Sequence, residues 1–309
     1  METRGDHGHH HHHVHDCATA DFGRAFLVGM ALNLGFVAVE VCYGIVAHSM
    51  ALLADAGHNV GDVLGLGLAW GATALARLKP STRRTFGFRR STIVASVANA
   101  LILLFVTGGI AWESVRRLFE PEQPHGATMV VVAIVGAVVN ATSALLFMAG
   151  RKRDLNIRSA FLHLASDAGL AIGVAVAGFV IMATGWLWLD PAVGIALALT
   201  ILAGTWSLMR QSLNLMLDAV PENIDPEQVK AFLCALPGVI EVHDLHIWAM
   251  STTETALTAH LVMPGNSCEP TFLASACSAL HDRFDVDHAT LQIDPHEAAP
   301  CALASDEHV

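Results

Sequence analysis

Residues 91–112, 123–150, 168–189 and 191–209 contain no Asp, Glu, Lys or Arg. Runs of about 20 apolar residues match the hydrocarbon thickness of a bilayer when helical, and an α-helix satisfies its own backbone hydrogen bonds where no water is available. Four such runs in one chain predict a helical membrane domain. Two further apolar stretches, residues 22–47 and 49–76, are interrupted by Glu40 and by Asp55 and Asp62. The span ending near residue 189 begins near Asn156 and so contains Asp167. Carboxylates at membrane depth are costly and face a protein interior or an aqueous path. The reading is therefore six transmembrane helices, several of them carrying buried acids.

Basic residues in short loops set the orientation. The connection between spans two and three holds Arg77, Lys79, Arg83, Arg84, Arg89 and Arg90, and that between spans four and five adds Arg151, Lys152, Arg153 and Arg158. The turns near His48 and Gly185 hold none, and Arg116 and Arg117 after span three are an outnumbered exception. Both termini are predicted to be cytoplasmic. No basic segment leads into a short apolar run and cleavage site at the N-terminus, so no signal peptide is expected.

The formal net charge of −11 is unevenly distributed. Residues 1–217 carry 15 Lys+Arg against 13 Asp+Glu, and residues 218–309 carry 2 against 15, giving +2 and −13. An acidic tail of this strength argues against nucleic acid as a partner. Its pattern is that of a small soluble domain. A helix is expected over residues 225–236, with Asp225 as N-cap, Pro226 at its first position and Pro237-Gly238 ending it. Residues 239–249 and 255–263 read as a hairpin, 271–284 as a second helix and 287–293 as a third strand. That order suggests a small α+β sandwich of a size that dimerisation would help to stabilise. The domains expected are a His-rich cytosolic tail (1–21), a six-helix transmembrane domain (22–217), a cytosolic domain (218–297) and a C-terminal tail (298–309). Cys17, Cys42, Cys234, Cys268, Cys277 and Cys301 form no CxxC pair or regular framework, which fits a reducing compartment.

The chemistry lies in two repeats of one spacing. His58 and Asp62 on span two, and His163 and Asp167 on span five, are each four residues apart, so each pair shares a helix face. Because the two spans run in opposite directions, counting at about 1.5 Å per residue puts Asp62 level with His163 and His58 level with Asp167, near the midplane. Two imidazoles and two carboxylates suit tetrahedral Zn²⁺, and the two negative charges neutralise a divalent ion in a medium that penalises net charge. The alternative for any one of these residues is a polar group bonding to a neighbouring helix.

Residues 49–62 (SMALLADAGHNVGD), 84–90 (RTFGFRR), 163–167 (HLASD) and 242–248 (VHDLHIW) together resemble the signatures of cation diffusion facilitators, over residues 22–294. The resemblance is to bacterial zinc, cadmium and cobalt efflux transporters. It implies a homodimer, a transport site of His58, Asp62, His163 and Asp167, and a ferredoxin-like, metallochaperone-like cytosolic domain. Two departures stand out. Thr92 occupies a place where relatives often have an acid, and the loop between spans two and three lacks the His and Asp of an additional metal site, so no metal is expected there. In the cytosolic domain His243, His260 and Asp294 fall where some relatives bind regulatory metal, with Gln292 at a position that is His in those relatives.

Other features leave choices open. His7, residues 9–13 and His15 form a metal-collecting tract by composition, or a purification tag. Asp55 lies on the stripe of His58 and Asp62, as a proton or metal relay or as a solvated residue near the helix start. Glu40 and Asn33 share a face and are expected to bond to neighbouring helices. Strict alternation along residues 242–248 gives His243 and Leu245 the opposite parity from His246 and Trp248, so one set alone should face the core. His281, His288, His296 and His308 read as surface residues, with His288 within possible reach of His260.

The function expected is Zn²⁺ efflux by proton antiport, with Cd²⁺ or Co²⁺ as further cargo and no catalytic cofactor. A membrane metalloenzyme, a channel and a metal sensor are the rivals. No HExxH motif and no GxxxxGK[ST] loop is present, which argues against a zinc hydrolase and against ATP as energy source. Short loops point to a bacterial cytoplasmic membrane.

Overall fold

The computed structural model describes residues 34–148, 155–264 and 270–295. Its helices are α1 (Leu34–Val46), α2 (Met50–Ala76), α3 (Ser91–Phe119), α4 (Gly126–Phe147), α5 (Leu155–Thr184) and α6 (Leu189–Met216). After them come α7 (Pro226–Cys234), β1 (Glu241–Ala249), β2 (Thr255–Met263), α8 (Pro270–Phe284) and β3 (His288–Pro295). Four helices among the described residues are long and apolar enough to cross a membrane: α3, α4, residues Ala160–Thr184 of α5, and α6. The described part of α1 is shorter, and α2, with 27 residues, carries Asp55, His58 and Asp62. Asn33 and the His-rich tract lie outside the described residues.

The chain forms two compact units, Met1–Gly57 with Ile110–Leu197, and His58–Gly109 with Ala198–Val309. In the first, α4 and α5 pack through small residues: a Cβ on Gly126 would lie 3.1 Å from the carbonyl oxygen of Gly178. Such close approach is how helices gain contact in lipid, which offers no hydrophobic drive between them. Phe36, Leu52, Met129, Val132, Val174 and Ile181 belong to the core around this contact.

A carboxylate closes the start of α2. Asp190, in the first turn of α6, is 1% exposed. It accepts hydrogen bonds from Ser49 Oγ at 2.5 Å, from the Met50 N–H at 2.7 Å and from the Ala51 N–H at 3.2 Å. Ser49 Oγ in turn accepts from the Leu52 N–H at 3.2 Å. The first-turn donors of α2 thus have acceptors without water, as burial in an apolar medium requires. Asp190→Ala strips this cap and leaves buried N–H groups unmet, a loss on the order of 3 kcal/mol. The expected reading is a fall of roughly 5–10 °C in the thermal midpoint of the full-length protein in detergent. Asp190→Asn, which keeps an acceptor, should lose less; an unchanged midpoint in Asp190→Ala would mean that those donors are met elsewhere.

In the second unit, Ser91 Oγ donates to the Ala72 carbonyl at 2.8 Å, and Ser96 Oγ lies 2.6 Å from Ser212 Oγ. These bonds tie α3 to α2 and to α6. Between α2 and α3, Ser81 and Arg84 exchange backbone hydrogen bonds at 3.0 Å, and Gly87 turns the chain with φ +68°. A Cβ on Gly87 would also lie 3.2 Å from the Leu78 carbonyl oxygen, so the position suits glycine twice over.

The soluble part has a three-stranded sheet of order β1-β2-β3, β1 antiparallel and β3 parallel to β2. The parallel pair needs a crossover, which α8 provides. Asp225 caps α7 as the sequence predicts, accepting from the Glu227 and Gln228 N–H groups. The Gln228 side-chain hydrogen bond, aided by the two N–H bonds, holds its carboxyl below the usual Asp range. With the folded pKa depressed, this contribution is complete above the ordinary Asp pKa and is lost as pH falls through the folded value.

One expectation for β1 fails. Val242 and Ile247 both lie in the core with Leu245 packed against it, although strict alternation separates 242 from the other two. The register slips between His243, opposite His260, and His246, opposite Thr258. Asp244 sits there with φ +51°. Two residues of β1 oppose one of β2, and this bulge resets which side chains face inward.

Candidate metal centre

An α-helix brings residues i and i+4 onto one face, and both His–Asp pairs take that arrangement. On α2, His58 Nε2 lies 3.7 Å from Asp62 Oδ2, both side chains partly exposed. On α5, His163 Nε2 lies 3.6 Å from Asp167 Oδ2, with Asp167 only 3% exposed. The two pairs belong to different units, and each is built within its own helix. Each offers one nitrogen and one oxygen close together, half of the N/O set that zinc prefers.

Asp55 is 3% exposed, which rules out solvation at the helix start, and Ser49 and Asp190 do the capping there. Glu40 is fully buried on α1. Arg117, the exception to the charge pattern, is also accounted for. Its guanidinium donates to the His48 carbonyl at 2.7 Å and pairs with Glu113 at 3.1 Å and Glu122 at 3.3 Å, so acids offset its charge locally.

A second cluster forms on the sheet. His243 and His260 face each other across β1 and β2, their ring centroids 5.2 Å apart. Asp294 Oδ2 on β3 lies 3.4 Å from His243 Nε2 and 3.2 Å from His260 Nδ1. Ligand atoms of the three lie within 4.8 Å of one another. His243 is 6% exposed, and neither of its ring nitrogens has a hydrogen bond. A buried imidazole left so is costly, and a cation bound by the three would relieve that cost. Gln292, opposite His260, donates to Asp294 Oδ1 at 2.8 Å, leaving Oδ2 directed at the two histidines. Asp244, displaced by the bulge, reaches His260 Nε2 at 3.5 Å and His246 Nε2 at 2.9 Å. His288 does not approach His260: it pairs with Ala256 and meets the Phe86 ring edge-on at 5.7 Å.

Residues 26–217 match the family described as the cation efflux transmembrane domain. Residues 221–296 match the cytoplasmic domain of cation efflux proteins. The chain belongs to the cation efflux family. Among its relatives, the metal cation efflux system protein CzcD of Cupriavidus metallidurans is 36% identical over 91% of this chain and 88% of its own length. The zinc transporter ZitB of Escherichia coli is 33% identical over 90% of this chain and 88% of its own. The cadmium, cobalt and zinc/H(+)-K(+) antiporter of Bacillus subtilis is 33% identical over 78% of each chain. Cation efflux proteins are metal transporters, which sets aside the metalloenzyme reading.

Within this cation efflux protein, sequence reasoning missed Asp190, which entered only as the break between two charge-free runs. An acid one residue before Pro191 signals a helix start, but its own helix and not α2. It also missed Thr92 as a contact: Thr92 Oγ1 accepts from the Thr252 N–H at 3.1 Å and donates to the Arg89 carbonyl at 3.2 Å, tying the start of α3 to the segment after β1.

Proposed function

We propose that this protein exports Zn²⁺ from the cytoplasm in exchange for protons, binding each ion between His58, Asp62, His163 and Asp167. The carrying observation is the pair of i,i+4 His–Asp sites, built alike at 3.7 and 3.6 Å on α2 and α5. Relatives named for zinc, cadmium and cobalt transport, one of them an antiporter, agree with that ligand set. Cd²⁺ and Co²⁺ are further cargo.

Proton coupling follows from the ligands. Neutral imidazole and ionised carboxylate bind metal, so proton and zinc compete for the same atoms. Zinc loads from the cytosol, leaves on the far side as protons take its place, and the protonated site returns. Six spans with both termini in the cytoplasm, embedded in a bacterial cytoplasmic membrane, fit the charge pattern. Residues 1–21 form a metal-collecting tail, 22–217 the transport domain, and 218–297 a ferredoxin-like cytosolic domain through which the chain forms a homodimer, with a tail after 297. A second ion bound by His243, His260 and Asp294 regulates that domain; the buried His243 with both nitrogens unbonded supports this.

Purified protein in vesicles tests the reading. Zinc accumulation should follow an imposed proton gradient, reversing when the gradient is reversed. Downhill flux indifferent to the gradient would make the protein a channel, and absence of flux from folded protein a sensor.

A further inference from the structure

Where the C-terminal part of α2 and the start of α3 meet β1, the second unit holds a cavity of about 860 Å³. Its walls are apolar: Gly71, Leu75, Val94 and Ala98 from the helices, and Trp248 and Met250 from β1 and the residue after it. Its rim is basic, with Arg83, Arg84, Arg89 and Arg90. The four arginines are not equivalent. Arg89 is paired with Glu254 and Arg90 with Asp218. Arg83 and Arg84 are exposed and have no ion pair among the described residues. The Arg84 guanidinium lies 4.2 Å from the centroid of the Phe88 ring, a cation–π contact.

An apolar wall at the ends of α2 and α3 under a rim of unneutralised guanidinium groups fits a molecule with an anionic head and hydrocarbon chains. A soluble anion leaves the apolar wall unused, and a neutral lipid leaves the two arginines unmatched. Basic pockets at helix ends hold anionic headgroups in this way, with guanidinium as the donor suited to phosphate. We propose that this cavity binds an anionic phospholipid of the adjoining leaflet, phosphate against Arg83 and Arg84 and acyl chains along Gly71, Leu75, Val94 and Ala98. Because Trp248 and Met250 line the cavity, the lipid also touches the strand that carries His243 and so connects membrane composition with the cytosolic domain.

The test uses delipidated full-length protein in detergent, with bound lipid read by native mass spectrometry. Phosphatidylglycerol should bind in preference to phosphatidylcholine. Arg83→Gln with Arg84→Gln should weaken phosphatidylglycerol binding by roughly twentyfold, since each basic group near such a surface contributes about fivefold. Gly71→Leu should weaken it without altering charge, because a side chain there meets nothing within 4 Å and projects into open space. Neither change touches the His–Asp pairs, so zinc flux in mixed-lipid vesicles reports the transport site separately. Equal binding of the two lipids, undiminished binding in both variants, or displacement of phosphatidylglycerol by equimolar inorganic phosphate would each overturn the site.

Discussion

Zinc flux is expected to fall to the level of protein-free vesicles when Asp167 is replaced by alanine, and equally when Asp62 is. If the four residues bind the ion as proposed, either change leaves three ligands and removes one of the two charges that neutralise it, so the loaded site would carry a net positive charge at membrane depth. Exposing one such charge costs about 2.5–3.5 kcal/mol on insertion scales, equivalent to roughly a 60- to 350-fold loss of occupancy. Losing a direct metal–oxygen bond adds to that. The two variants differ in what else they disturb. Asp167 is 3% exposed and Asp62 33%, so Asp167→Ala also opens space in a packed part of α5, whereas Asp62→Ala removes a partly exposed group. Thermal unfolding and size-exclusion profiles of both should therefore accompany the flux assay, and Asp62→Ala is the cleaner measurement. Flux near half of wild type in a folded Asp62→Ala protein would remove that residue from the transport site.

What could be read in advance follows the range of the interactions. An i,i+4 pair on a helix is a local property, so the His58–Asp62 and His163–Asp167 geometries were legible from spacing alone. So was the Asp225 cap, which concerns residues two and three positions away. The acceptor for the first turn of α2 was not legible, because Asp190 lies 140 positions from Met50 and no local pattern links them. The bulge in β1 was hidden for a different reason. A period of two assumes every residue is extended, and a single left-handed Asp244 breaks the count while leaving the composition of the strand unchanged. The contact of Thr92 with the Thr252 N–H was equally invisible, being a bond between a side chain and a backbone group 160 positions away. Helices and local His–Asp pairs are thus written in short windows of sequence, and the bonds that lock one element to another are not.

Replacing His58 with Asp is expected to change which metal is carried. Imidazole suits Zn²⁺, whereas carboxylate oxygen is a harder ligand that better tolerates Mn²⁺ and other oxygen-preferring ions. Aspartate is also shorter than histidine, so on α2 its oxygen cannot reach where His58 Nε2 now lies, 3.7 Å from Asp62 Oδ2, and the space around the ion widens. Three carboxylates and one imidazole make the loaded site one unit more negative. In the empty site, three clustered carboxylates repel one another, and a bound proton relieves that repulsion. Protons then compete better with metal, so the pH at which half-maximal zinc transport is reached should move upward. The measurement compares initial rates for Zn²⁺, Cd²⁺ and Mn²⁺ in wild type and His58→Asp under one imposed proton gradient, at several values of internal pH. The zinc-to-manganese rate ratio should fall by about tenfold or more, an imidazole-to-carboxylate exchange being a change of ligand class and not of size alone. An unchanged ranking in a folded, active variant would mean that His58 is no ligand, and that its imidazole serves the packing of α2.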